Sequence, residues 1–307
     1  MRNVFAKAVT ELSDLYPELV MLAGDIGNRL FDRFKEKHPS RFYNCGVAEA
    51  NMTGVASGLA ASGMRPITYT ITPFNTVRCL EQIRLDICYP DLPVIVVGTG
   101  AGLSYAGLGA THHSMEDIAI LRTLPNMHIV CPADPVEVRL AVQDALRLGR
   151  PTYIRLGKKG EPLIHEQDPD FKIGKGIIVR EGSDVAIVSV GNMLFSALNA
   201  AEQLHQKGVS AKVVSLHTVK PLDDLLLTTI FTEQKLVVVL EEHSLIGGAG
   251  SAVLEWGNAN QVDLNKLLCF GGQDRFLFAC GEQKEARLML GLTAENISQQ
   301  IFNRLNE

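Results

Sequence analysis

Apolar residues in this chain fall into short unbroken runs, separated by stretches in which they recur every three or four positions. The runs Leu19–Ala23, Pro66–Ile71, Val94–Val97, His128–Cys131 and Thr152–Leu156 predict strands, as do Val185–Val190, Ala211–Leu216, Leu236–Leu240 and Leu267–Phe270. Helical spacing predicts helices over Val4–Leu15, Ala48–Ala61, Thr76–Cys88, Pro135–Leu148, Met193–Gln206 and Ala252–Gly257, with a shorter one over Glu116–Leu124. Strand and helix alternating from end to end imply an α/β protein of two consecutive domains, each with a mainly parallel sheet covered by helices. Between Gly157 and Gly176 the periodicity breaks around Gly160, Pro162, Pro169 and Gly174. The expected division is therefore a first domain over 1–160, a linker over 161–175 and a second domain over 176–307.

Composition narrows the classes. The 307 residues suit two domains of roughly 150 each, and 46% hydrophobic content is enough for two cores. A filament or a disordered tail is excluded. The net charge is −5 with Lys and Arg scattered, which leaves no broad basic face for nucleic acid. Cys45, Cys79, Cys88, Cys131, Cys269 and Cys280 are widely spaced without a C-x-x-C, as expected of a reduced, cytoplasmic protein. The N-terminus lacks the apolar core of a leader, and no apolar run reaches the about 18 residues of a membrane span.

Candidate chemistry sits in a few stretches. In Gly46-Val47-Ala48-Glu49-Ala50, one carboxylate opens a helix of otherwise small and apolar residues. Glu49 is either a first-turn acid favoured by the helix dipole or a buried carboxyl placed to bond a cofactor nitrogen. Gly107-Leu108-Gly109-Ala110-Thr111-His112-His113 delivers two histidines on a glycine-broken loop, either solvated or reaching a polar substrate. Nothing around them has zinc-site spacing. Phe74 follows a strand, and Arg155 and Lys158 end another, where cations meet either solvent or a phosphate at the carboxyl edge of the sheet. The turn Gly247-Gly248-Ala249-Gly250 reads as tight packing, because it lacks both a G-x-G-x-x-G spacing and a P-loop lysine.

Taken in order, Gly46–Ala50, Phe74 with Glu81-Gln82-Ile83-Arg84, Gly109-Ala110-Thr111-His112, and Glu241-Glu242-His243-Ser244 through Gly250 resemble the C-terminal half of transketolase. The likeness covers nearly the whole chain. It extends to deoxyxylulose-phosphate synthases and, more loosely, to β subunits of 2-oxo acid dehydrogenase E1 components. The resemblance implies a pyrimidine-binding domain for thiamine diphosphate, followed by a transketolase C-terminal domain. It implies that Glu49 bonds the aminopyrimidine and acts in catalysis, that Phe74 stacks on that ring, and that Asp25 and Ile71 also line the cofactor. His112 is implied at the donor ketose as a second catalytic residue, with His113 and Tyr105 beside it, and Arg78, Lys158 and Arg155 are implied as substrate contacts. Where transketolases place a histidine and an aspartate in the donor channel, this chain has Gly100 and Leu108. The Gly-Asp-Gly motif that anchors the diphosphate through Mg2+ or Ca2+ is missing; Gly24-Asp25-Ile26 does not supply it. The expectation is a transferase of ketol units between a ketose, phosphorylated or otherwise anionic, and an aldose. It is active only with an N-terminal subunit that holds diphosphate and metal, in an α2β2 assembly. The alternatives are a β subunit of a 2-oxo acid decarboxylating E1 or synthase-type enzyme and a scaffolding or regulatory subunit without chemistry.

Overall fold

In the computed structural model, which describes residues 1–27, 29–158, 160–278 and 281–307, the N-terminal runs form one sheet and the C-terminal runs another. Lys159 and Cys280 lie outside the described residues. The strands are β1 (Leu19–Ala23), β2 (Phe42–Asn44), β3 (Arg65–Ile71), β4 (Ile95–Thr99), β5 (His128–Val130), β6 (Thr152–Leu156), β7 (Ile177–Arg180), β8 (Val185–Ser189), β9 (Ala211–Ser215), β10 (Thr218–Lys220), β11 (Leu236–Ser244) and β12 (Leu267–Gly272). The first sheet has the order β10-β5-β6-β4-β3-β1-β2 and the second β12-β11-β8-β9-β7. All pairings are parallel except β10 on β5 and β7 on β9. Central strands such as β1, β4, β6 and β8 are buried at every residue, because helices cover both faces, and this is why they read as continuous apolar runs. The chain is thus two α/β domains with mostly parallel sheets flanked by helices.

Strand β10 was not among the expected elements. It leaves the second domain just after β9 and pairs antiparallel with β5, Thr218 opposite Val130, so the C-terminal part of the chain covers an edge of the N-terminal sheet. The apolar interior is shared in the same way. One buried cluster runs from Met52 and Ile83 through Val96 and Ile129 to Val188, Val214, Val237 and Trp256.

The expected helix over Thr76–Cys88 is not one helix. Pro73, acceptable in a first helical turn, starts a short turn over Thr72–Asn75, which is followed by a 3-10 turn over Val77–Cys79 and a wide turn over Ile83–Cys88. Tyr89 N–H reaches back five residues to Arg84 O at 3.0 Å, and the widened turn leaves Ile83, Ile87 and Cys88 all buried.

At the corner between β9 and β10, His217 is fully buried and stacks on Phe171 with ring centroids 3.9 Å apart. Its Nε2 has no hydrogen-bond partner among the described residues. Burial, above all, pushes this imidazole down to about 4. Between its unfolded value near 6.5 and that folded value, the unfolded chain binds a proton that the folded chain refuses. Stability therefore falls as pH drops through this window, by about 3 kcal/mol in total. His165 works in the opposite sense: burial would lower it, but the hydrogen bond to Glu137 Oε1 at 2.9 Å raises it, so its contribution is lost as pH rises. Urea midpoints compared at pH 7 and pH 4.5 should show the acid loss in the natural chain and a smaller one in His217→Gln. Equal losses in both would remove His217 as the cause.

Candidate active site

In parallel sheets the turns leaving the carboxyl ends of the strands share one edge, and the residues of interest leave β1, β2, β3, β4 and β6 there. After β1 the chain turns at Asp25, which is exposed with φ 52° and accepts a hydrogen bond from Asn44 Nδ2 at 3.3 Å. After β2, Gly46 bends at φ 65° and the helix Glu49–Ala61 begins. Glu49 stands in its first turn and is only 2% exposed. A Cβ at Gly24 would lie 3.0 Å from Thr70 Cβ and 3.3 Å from Glu49 Cγ, so the bare backbone there makes the room that the carboxyl side chain uses. Ile71 ends β3, half-buried, and leads into the turn that carries Phe74. Asn75 pins this turn by donating from Nδ2 to Val97 O at 2.9 Å.

Arg78 closes the space between these groups. Its Nη1 donates to Glu49 Oε2 at 2.9 Å, and its guanidinium carbon lies 4.2 Å from the centre of the Phe74 ring. Its own side chain is 45% exposed. The His112 ring meets Phe74 edge-on at 5.3 Å, and Tyr105 lies 6.0 Å from His112. Burial, then the neighbouring His113, hold His112 below the usual histidine range, so at neutral pH it carries no charge. Lys158 Nζ caps the Tyr105 ring at 4.3 Å. The Tyr105 ring rests on Gly100, where φ is 73° and a Cβ would fall 1.9 Å from ring atom Cε2; no other residue leaves that space. Leu108 is exposed. Glu49, Phe74, Arg78, His112, Tyr105 and Lys158 thus form one chain of contacts.

Two expected substrate contacts are turned inward. His113 is buried, with Nε2 bonded to Ala106 O at 2.9 Å, so it braces its own loop. Arg155 is 5% exposed: Nε donates to Asp117 Oδ2 at 2.7 Å, and Nη2 donates to Asp117 Oδ1, Ser114 O and Glu242 O. A guanidinium held this way ties the loop and the second domain to Asp117, so its geometry is that of a structural cation and lends no support to the expected substrate contact. Only Lys158 remains as the strand-end cation there among the described residues.

A group that sequence reasoning missed is Glu242. The loop bearing Tyr105 and His112 is closed at its neck by a bridge between Gly102 and Ser114. The buried Glu242 carboxylate reaches across from the second domain and accepts from Leu103 N–H at 2.8 Å and from Gln283 Nε2 at 2.9 Å, with Arg287 as its ion-pair partner. A Cβ at Gly102, with φ at 63°, would sit 2.3 Å from Glu242 Oε1. Glu241 settles the glycine turn. Its two oxygens accept from Ala249 N–H at 2.8 Å and Gly250 N–H at 2.9 Å, so the helix N-terminus is satisfied within the chain and the turn serves packing.

A buried carboxylate beside an aromatic face can seat a flat nitrogen heterocycle and share a proton with it. An uncharged imidazole, a phenol and an ammonium nearby can bond a polar, anionic molecule. Fold and site together define the class: a two-domain α/β protein whose first domain sets a buried carboxylate beside an aromatic ring at the carboxyl edge of its sheet. The family model of the transketolase pyrimidine-binding domain matches residues 1–161, and that of the transketolase C-terminal domain matches residues 174–297. A protein of Methanocaldococcus jannaschii described as a transketolase C-terminal section is 35% identical over 310 residues, covering 100% of this chain and 96% of that one. A 6-deoxy-6-sulfo-D-fructose transketolase subunit of Clostridium sp. is 38% identical over 276 residues, covering 88% and 86%. A solved split-gene transketolase, an inactive β4 tetramer, superposes with a TM-score of 0.91 at 37% identity over 99% of this chain and 98% of that one. The chain belongs to the transketolase family, as a C-terminal or β-type subunit.

Proposed function

We propose that the chain is the C-terminal subunit of a two-chain, thiamine diphosphate-dependent transketolase. It moves a two-carbon ketol unit from a ketose, phosphorylated or otherwise anionic, to an aldose. Residues 1–160 act as the pyrimidine-binding domain, and 176–307 as the supporting domain behind the 161–175 connector. The observation that carries this reading is the buried Glu49 carboxylate set against the Phe74 ring.

The donor set fits the pyrimidine half of the coenzyme. Glu49 would hold the ring nitrogen, Phe74 would face the ring, and Asp25 and Ile71 would border it. When bound, thiamine diphosphate supplies the carbon that takes up the ketol unit. The protein's part is to keep a carboxyl out of water, where it shares a proton with the ring nitrogen and does not lose it to solvent. His112 and Tyr105 orient the sugar hydroxyls, and Lys158 attracts the anionic end as a point charge. The charged tail needs other oxygen ligands. Among the described residues no group of three or more His, Cys, Asp or Glu could hold a metal ion, so a partner subunit is proposed to supply the diphosphate site with Mg2+ or Ca2+, in an α2β2 assembly. The split-gene and subunit names of the relatives support this division of labour.

The test is reconstitution. With thiamine diphosphate and Mg2+, the purified chain should transfer no ketol unit alone and should do so once mixed with a subunit carrying Gly-Asp-Gly. Transfer by the chain alone would sink the two-chain reading. The chain is also 37% identical over 306 residues to a 1-deoxy-D-xylulose-5-phosphate synthase of Rippkaea orientalis, of which it spans 47%. Release of CO2 from pyruvate by the reconstituted pair, without ketose cleavage, would therefore replace transfer by decarboxylation.

A further inference from the structure

Three groups meet at the mouth of the candidate site in a way that its proposed ligand does not require. The Arg78 guanidinium is flat, lies over the Phe74 ring at 4.2 Å, and donates to Glu49 Oε2 at 2.9 Å. These are the two interactions that an aminopyrimidine would make: a π-face on Phe74 and a hydrogen bond to Glu49. The side chain that makes them is 45% exposed while the carboxyl it covers is buried, so Arg78 reaches the seat from its open side and can swing out without disturbing the core. Beside the contact, Gly24 and Thr70 pack close against the Glu49 side chain, a Cβ at Gly24 falling 3.0 Å from Thr70 Cβ and 3.3 Å from Glu49 Cγ.

Resting on the reading of Glu49 and Phe74 as a heteroaromatic seat, we propose that Arg78 is a specificity-determining residue which occupies that seat until a ligand replaces both of its contacts. A ring that stacks without sharing a proton with Glu49 leaves a buried carboxylate stripped of its cation and is refused. A ring that does both displaces the guanidinium at little net loss. Discrimination then comes from a competitor already in place, which every ligand must outbid; its occupancy lowers the apparent affinity of all of them, and of the incomplete ones most.

Ligand-observed NMR on the full chain without any partner tests this. The probes are hydroxymethyl aminopyrimidine, which can make both contacts, and toluene, which can only stack. The natural chain should bind the pyrimidine weakly and toluene not detectably. In Arg78→Gln the pyrimidine should bind about tenfold tighter, the weight of one charge-assisted hydrogen bond removed from the competitor, and toluene should become detectable. Phe74→Ala should weaken both probes in the Arg78→Gln background. In the natural chain, the Arg78 Nε–H resonance should shift as the pyrimidine is added. Equal pyrimidine binding by the natural chain and Arg78→Gln, or a stationary Arg78 resonance, overturns the role of Arg78 and leaves the seat standing. Absence of pyrimidine binding in both proteins overturns this role together with the reading it rests on. Arg78 is half-exposed, so its replacement should leave the fold intact, which a thermal melt checks.

Discussion

Glu49→Gln, placed in the chain and reconstituted with a diphosphate-binding partner, should cut ketol transfer by a factor of about a hundred or more, the usual weight of one positioned proton-transfer group. The amide keeps the size of the side chain and can still hydrogen-bond, but it cannot share a proton with a ring nitrogen as a carboxyl does. The fold should barely notice, because the ionic partner of Glu49 among the described residues, Arg78, is 45% exposed and water can solvate its guanidinium once the carboxylate is gone. Initial rates of ketose cleavage, set beside a thermal melt of the same preparation, separate the two effects. If the variant keeps its rate, the subunit works as a scaffold and the proposed chemistry falls. If it loses rate only because it melts early, Glu49 is a structural acid.

The largest effect on stability should come from a residue that the site does not use. Asp117 is fully buried and receives Arg155 through two nitrogens and the Tyr153 hydroxyl at 2.6 Å. Burial alone would raise Asp117, but the charge and hydrogen bonds of Arg155 outweigh it and hold the acid below the usual carboxylate range. Arg155→Met would leave that charge buried without its cation. The expected cost is about 3–5 kcal/mol, the figure for breaking one side of a buried pair. The double variant Asp117→Leu with Arg155→Met removes both charges and should recover part of the loss. Denaturant unfolding of the two variants decides the matter: a single variant as stable as the natural chain would mean the pair is not the strut described here.

These residues also show what can be read from a sequence and what cannot. The strands Leu19–Ala23 and Thr152–Leu156 were legible to the residue, since a strand covered on both faces must be apolar throughout. The strands Phe42–Asn44 and Thr218–Lys220 are three residues long and were missed, because so short a run has no period to detect. The helices Asp224–Glu233 and Ala294–Leu305 were missed as well. In the first, Leu225 is exposed within an apolar stretch and hides the face that Leu227 and Ile230 bury. Glu49, Phe74, Arg78, His112, Tyr105 and Lys158 were brought together by the resemblance, and their contacts in the structure lie at the strand-end edge where the chain pattern alone had placed only Phe74 and Lys158. That Arg155 turns away was not visible, since its partner lies 38 residues back along the chain. Nor was the reach of Glu242 to Leu103, across 139 residues and a domain boundary.

The pairing of Thr218–Lys220 with β5 carries a consequence for how this protein can be cut or inherited. A polypeptide ended within the connector would expose a raw row of backbone amides and carbonyls along β5, the kind of border that recruits stray strands and drives clumping. It would also bare the Ile129 and Val96 side of an interior finished by Val214 and Val237. The two sheets are therefore finished only together, and a cut within 161–175 should leave the first half prone to aggregate.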